Sequence, residues 1–169
     1  VCIAKEIEKV RGGAPSRVFI EMARGEEENK KGKPPVSRRQ RIIYLYKSIK
    51  DESREWMNEI ESTPEIRFSS DKLLLYYLQM GKSAYSGKPI NIQDVFNTNV
   101  VDIDHIYPQS KIKDDSLDNR VLAYKTENQQ KQDIYPVKDE IRSRMHAFWL
   151  SLKDSGLMSE KKFDRLTRS

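Results

Sequence analysis

Apolar residues along this chain keep a helical rhythm except in a few short stretches. From Ser37 to about Ser62, Ile42, Leu45, Ile49, Trp56, Met57 and Ile60 recur at helical spacing and predict one long amphipathic helix. Ser69, Ser70 and Asp71 offer N-caps for a shorter helix, KLLLYYLQM, and Gly81 is placed to end it as the C′ residue. YSGKPI (85–90) is turn chemistry. Thr126 can cap a short helix, and Pro136 suits the first turn of a longer one. The inner face of that longer helix is Ile141, Met145, Phe148, Trp149 and Leu152, and it should end near Gly156. Ser159 caps a last helix, with Met158 and Phe163 placed as a hydrophobic staple.

The rhythm changes at VVDIDHIYPQS (100–110). Val101, Ile103 and His105 alternate with Asp102, Asp104 and Ile106, the run is β-branched, and Pro108 stops it, which predicts a strand over 100–106. A loop (107–118) and a second short strand, RVLAYK (120–125), follow. Nearer the start, 1–10 reads as the end of a helix broken by Gly12, Gly13 and Pro15, and RVFIEMA (17–23) as a strand with Glu21 at its centre. RGEEENKKGKPP (24–35) buries too little apolar surface to offset its ordering entropy and is expected to be a mobile linker. No internal repeat is visible. The expected class is α+β, mostly helical around one small strand–loop–strand unit.

Composition narrows the chemistry. The 169 residues suffice for one domain with appended pieces, 34% are charged, and mean hydropathy is −0.79, so the core must come from a few apolar clusters. A net charge of +5 and a pI near 9.2 point weakly to a polyanionic partner, since 26 acidic residues offset most of the basic ones. Cys2 is the single cysteine, which rules out an internal disulfide or a cysteine-rich zinc site and suggests a reducing compartment. With only His105 and His146 available, a bound metal is expected to be a hard cation on oxygen ligands. No apolar run approaches ~20 residues and no signal peptide is visible, so the expectation is a soluble intracellular chain with no membrane partner. Its start at Val1 suggests a piece of something larger.

Carboxylates are poor strand formers, so two of them leading into a histidine suggest a site. Three groups stand close in order: Asp104-His105 at a strand end, Asn119 opening the next strand in DSLDNRVLA, and Asn128 in YKTENQQKQ. Cleaving a phosphodiester needs an activated water and charge stabilisation on phosphoryl oxygens. Asp104 and Asn128 are suitable oxygen ligands for Mg²⁺, and a histidine titrating near ~6.5 can take a proton from water at neutral pH. One geometric objection is that neighbours on a regular strand face opposite ways, so Asp104 would share a face with Asp102 rather than His105. Taken singly, Asp104-His105 reads as a surface pair, Asn119 and Asn128 as turn and cap residues, and His146 as a packing or solvated side chain.

In combination they resemble a family. DIDHIYPQS…DDSLDNRVLAYKTENQQKQD is similar to the HNH (ββα-metal) nuclease motif, closely over about residues 83–135. More narrowly it resembles the HNH domain of the large RNA-guided effector nucleases of type II CRISPR systems, where DHI-P-S precedes D-S-DN-VL and then an asparagine in a short helix. YYLQMGKSAYSGKPI and FWLSLKDSGLMSEKKFDRLTR fit the segments before and after that motif. The resemblance implies an α+β fold, mostly helical around a two-stranded ββα-metal core at about 99–131. It implies His105 as the catalytic general base, Asp104 and Asn128 as metal ligands, and Asn119 as the middle motif residue, more structural than catalytic. Asn128 stands where the family name has a histidine, a departure the type II effectors share.

The same resemblance implies that 1–23 is a remnant of a split RNase H-like nuclease domain, 24–36 a flexible linker and 37–169 the HNH nuclease domain. Glu21 would then be a metal-binding carboxylate only in the intact parent protein. The cofactor would be Mg²⁺, with Mn²⁺ a substitute. The partners would be target-strand DNA in a guide RNA–DNA heteroduplex and the rest of the parent effector, the chain itself being a monomer in a prokaryotic cytoplasm. Two other readings are a stand-alone HNH nuclease of the homing or restriction type and a nucleic-acid-binding module with a degenerate nuclease core.

Overall fold

The computed structural model describes residues 36–49 and 53–169, a body that begins at Val36. The helix expected at 1–10, the strand at 17–23 with Glu21, and the linker at 24–35 lie outside the described residues. Within the body, six helices surround one two-stranded antiparallel sheet.

Where one long helix was predicted from Ser37 there are two, α1 (Arg38–Ser48) and α2 (Ser53–Ser62). Ser37 caps α1 by accepting from the Gln40 N–H, and Ile49 is already extended at φ −88°, ψ 114°. An unbroken helix would hold Arg39 and Ile60 about 30 Å apart at 1.5 Å per residue. Instead Arg39 Nε donates to the Ile60 carbonyl at 3.2 Å, so the chain doubles back into a helical hairpin. The apolar period continues across the break because both helices turn the same kind of face to one core, which is why spacing alone misses it.

α3 (Asp71–Leu78) is buried on nearly every side, with Leu73, Leu74, Leu75, Tyr76 and Tyr77 all in the core. Ser70 occupies its N-cap position without a side-chain cap bond. Asp71 instead binds Arg38 Nη1 of α1 and Arg120 Nη1, each at 2.9 Å. The helix closes with Gly81 N–H on the Tyr76 carbonyl at 2.9 Å, and Gly81 takes φ +65°, a conformation that side-chain-bearing residues avoid. The predicted turn follows, Lys82 and Pro89 bridging across it.

β1 (Val101–His105) pairs with β2 (Arg120–Tyr124) so that Asp104 lies opposite Val121 and His105 opposite Arg120. α3 covers the sheet at β2, while α4 (Lys125–Lys131) packs on both strands. Both sides are therefore covered, and the alternation in β1 does not divide core from solvent: Val101 and Asp104, on opposite faces of the strand, are both buried. The side-chain amide of Gln79, just after α3, takes the Leu122 N–H on Oε1 and gives Nε2 to the Leu122 carbonyl, both at 2.8 Å.

α4 starts at Lys125, one residue before the predicted cap Thr126. Glu127 closes its first turn by accepting from the Tyr124 N–H at 3.3 Å and the Ser83 hydroxyl at 2.5 Å. α5 (Asp139–Asp154) starts beyond Pro136, where Asp139 and Glu140 supply the negative first turn that the helix dipole favours. Met145, Trp149 and Leu152 are its buried face, and the Trp149 indole donates to the Ala84 carbonyl at 2.9 Å. α6 (Glu160–Thr167) is capped as predicted by Ser159, which accepts from the Lys162 N–H at 3.1 Å.

Candidate active site

The end of β1 gives its two chemically distinctive side chains different surroundings. Asp104 is 7% exposed, and both of its close contacts fall on Oδ2: the Tyr85 hydroxyl at 2.5 Å and Lys131 Nζ at 2.9 Å. Lys131, its side chain only 2% exposed, also donates to the His105 carbonyl at 2.8 Å. A buried carboxylate is tolerable only when paired and hydrogen-bonded, and the last turn of α4 meets that need. Burial, with the Asp104 charge second, pushes the Tyr85 hydroxyl well above its ordinary pKa, so it is a permanent donor. Asp102 takes no part in this cluster; it lies half-exposed beside Lys72 at 3.3 Å.

His105 makes its side-chain contacts with the following loop. Its Nε2 lies 2.9 Å from Asp115 Oδ1 and 3.2 Å from Gln109 Nε2, and the Gln109 amide donates to Asp115 Oδ1 at 2.6 Å. The contact with His105, then that with Gln109, hold the Asp115 carboxyl below its ordinary range. The strand-neighbour objection is thus visible in the geometry: Asp104 and His105 have no side-chain partner in common, and Lys131 links them only by bonding one's carboxylate and the other's carbonyl.

Asn119 is completely buried just before β2. Its Oδ1 accepts the Tyr107 N–H at 2.9 Å, and its Nδ2 donates to the carbonyls of Tyr107 (3.1 Å) and Asp114 (2.9 Å). The amide is engaged with loop backbone rather than open to a reacting group. A second tie comes from α6, where Arg165 Nη2 meets Asp114 Oδ2 at 2.8 Å while its guanidinium lies over the Tyr107 ring. Hydrogen bonds from Ser116, then Arg165, hold the Asp114 carboxyl well below the usual carboxylate range.

Asn128 sits half-buried on α4, one turn before Lys131, and i, i+3 residues are neighbours on a helix surface. Lys131 ties this helix to the end of β1 through its ion pair with Asp104. Among the described residues no three His, Cys, Asp or Glu side chains gather in a way that could hold a metal. The available donors are one carboxylate and one amide. That set fits a hard cation such as Mg²⁺, which keeps several waters and needs few protein oxygens, and Asp104 has Oδ1 clear of the contacts on Oδ2. His146 is exposed on α5 with its ring against Phe163, remote in role from this cluster. Glu21 lies outside the described residues.

Sequence reasoning passed over Tyr85, Lys131, Gln109 and Asp115. Tyr85 sits in a stretch legible only as a turn, and Lys131 is one of 31 basic residues in the sequence. Asp115 carried a usable signal, because DD directly before a capping serine in an otherwise basic loop places a carboxylate near the histidine strand.

A strand ending in Asp-His, a loop pinned by a buried asparagine, a return strand and a short helix carrying another asparagine thus follow one another in a single stretch of the chain. Residues 83–137 match the HNH endonuclease family, so the chain carries an HNH endonuclease domain. Beyond that domain, the chain is 36% identical over 167 residues to the CRISPR-associated endonuclease Cas9 of Streptococcus mutans, covering 99% of this chain and 12% of that protein. It is 38% identical, with the same coverage, to the Cas9 of Listeria innocua. The Cas9 of Campylobacter jejuni is 43% identical over 65 residues, 38% of this chain and 7% of that protein. The chain thus spans about an eighth of the length of the first two relatives.

Proposed function

We propose that this chain is the part of an RNA-guided effector that hydrolyses the DNA strand paired with a CRISPR guide RNA, in a Mg²⁺-dependent reaction. The observation that carries the reading is the end of β1: a buried, oriented Asp104 next to a partly buried His105, with Asn128 one helical turn from the lysine that holds Asp104. In this reading 37–169 is the nuclease domain with its ββα-metal core at about 99–131. Residues 1–23, with Glu21, belong to a neighbouring RNase H-like domain, and 24–36 link the two. Sequence choice lies in base pairing, and dispersed lysines and arginines make backbone contacts without reading bases.

Asp104 and Asn128 would hold the Mg²⁺, or Mn²⁺ in its place, which when bound supplies charge stabilisation on the phosphoryl oxygens and the departing 3′ oxygen. The chain's own residues do the rest. His105 takes the proton of the attacking water. Lys131 and Tyr85 fix the plane of the Asp104 carboxylate, so its ligand oxygen needs no reorganisation. Asn119 acts on the loop beside the reacting centre rather than on the substrate. No helix among the described residues is long and apolar enough to cross a membrane; the reading itself places the reaction in a prokaryotic cytoplasm.

The test is cleavage of a labelled guide RNA–DNA heteroduplex by the chain with Mg²⁺. The DNA strand should be cut, chelation should stop the cutting, and His105→Ala should slow it by at least ~10², the lower range for losing a general base. An alanine variant that cuts at the parental rate would remove His105 from the mechanism.

A further inference from the structure

We propose that Asp115 is a positioning residue for His105, fixing which ring nitrogen is basic and where it points. The inference rests on the reading of His105 as the base that activates water. An ionised carboxylate can only accept a hydrogen bond. A 2.9 Å contact between Asp115 Oδ1 and His105 Nε2 therefore requires the proton on Nε2, which leaves Nδ1 as the nitrogen with a free lone pair. Gln109 Nε2, 3.2 Å from the same ring nitrogen, gives its shorter contact to the carboxylate, donating to Asp115 Oδ1 at 2.6 Å and so holding the acceptor in place.

An exposed ion pair on a free loop would fix nothing, because holding two side chains together costs as much entropy as the contact returns. Here the loop is not free. The Asn119 amide bonds both backbone groups of Tyr107 and the carbonyl of Asp114, directly before Asp115. Arg165 of α6 holds the Asp114 carboxylate, and that carboxylate accepts the Ser116 N–H at 2.9 Å. The residues on both sides of Asp115 are thereby anchored, one to the protein interior and one to its neighbour. The orienting carboxylate itself stays 75% exposed, in reach of His105 but adding little to the stability of the fold. That combination separates a positioning role from a structural one: removing the carboxylate should alter the ring and the rate without unfolding the chain.

Nitrogen-15 NMR of the labelled chain tests this directly, since it has only two histidines and His146→Gln identifies their ring signals. At a pH where the ring is neutral, His105 should appear as the Nε2–H tautomer alone. Asp115→Ala should give averaged ring-nitrogen shifts from exchange between both tautomers, with an unchanged denaturation midpoint. Asp115→Asn, whose amide can donate to Nε2 as well as accept from it, should not restore the single tautomer. In the heteroduplex assay Asp115→Ala should lower kcat about tenfold at unchanged KM, a fraction of the ~10²–10⁴ that a general base contributes. An Nδ1–H ring in the parent chain, or a ring spectrum and kcat indifferent to Asp115→Ala, would overturn the proposal. If His105→Ala itself cuts normally, the general-base reading fails instead; if that variant is inactive and Asp115→Ala matches the parent, only the positioning role is lost.

Discussion

Asn119 shows how much one side chain can hold. Its amide oxygen and nitrogen make three bonds to the backbone of a single loop, and the side chain is wholly removed from water. Asn119→Ala should cost about 3 kcal/mol or more, because buried backbone groups left without partners lose roughly 1–3 kcal/mol each. Asn119→Asp should be worse at neutral pH despite its matching shape. It keeps the acceptor for the Tyr107 N–H but turns a carboxylate oxygen toward two carbonyls, so its denaturation midpoint should lie below that of the alanine variant. The reverse order would mean the loop is held by something other than this amide. The sequence marked Asn119 through its place in DSLDN, and marked Asp104, His105 and Asn128 likewise. It could not mark Tyr85 or Lys131, whose importance lies in meeting a carboxylate 19 and 27 positions away in the chain. Partnership across that distance is a product of the fold and leaves no local pattern.

At the level of elements, the strands, the Ser159 cap and the Gly81 stop were legible because each is decided by residues within a few positions. The long helix and the start at Pro136 were misread because the deciding contacts lie elsewhere: Arg39 reaches across to Ile60, and Asp139 rather than proline opens the charged first turn. α6 carries a further consequence. Lys162 is buried against the segment before β2; burial lowers its pKa from 10.5 to about 8, while Asp118 opposes the shift. Below pH 8 both folded and unfolded chains carry the charge, and the cost of burying it is felt in full. Between 8 and 10.5 the folded chain has released a proton that the unfolded chain keeps, so stability should climb with pH across that window. Denaturant midpoints at pH 7.5 and 9.5 should show the parent gaining relative to Lys162→Met. Parallel pH profiles would show that the ammonium is not buried in solution.

For the molecule as a whole, the sheet is small for the work it does. Two strands are marginal alone, and this pair persists because α3 covers one side and α4 packs on both strands. Gln79 adds something different. Its side-chain amide bonds Leu122 as a neighbouring strand would, donor to carbonyl and acceptor to N–H. A sheet edge left open is a template on which another chain can build, and proteins usually blunt it with charge, proline or a covering segment. Here the Gln79 side chain imitates a strand at Leu122, joined by the Ala84 N–H, which donates to the same carbonyl at 3.0 Å. Gln79→Ala should therefore do more than destabilise: at concentrations where the parent stays monomeric by light scattering, the variant should form β-rich oligomers. Gln79→Glu, which can accept from the Leu122 N–H but cannot donate to its carbonyl, should fall between them. On this view the residue's chief service is to the crowd of identical chains around it, each denied a place to dock.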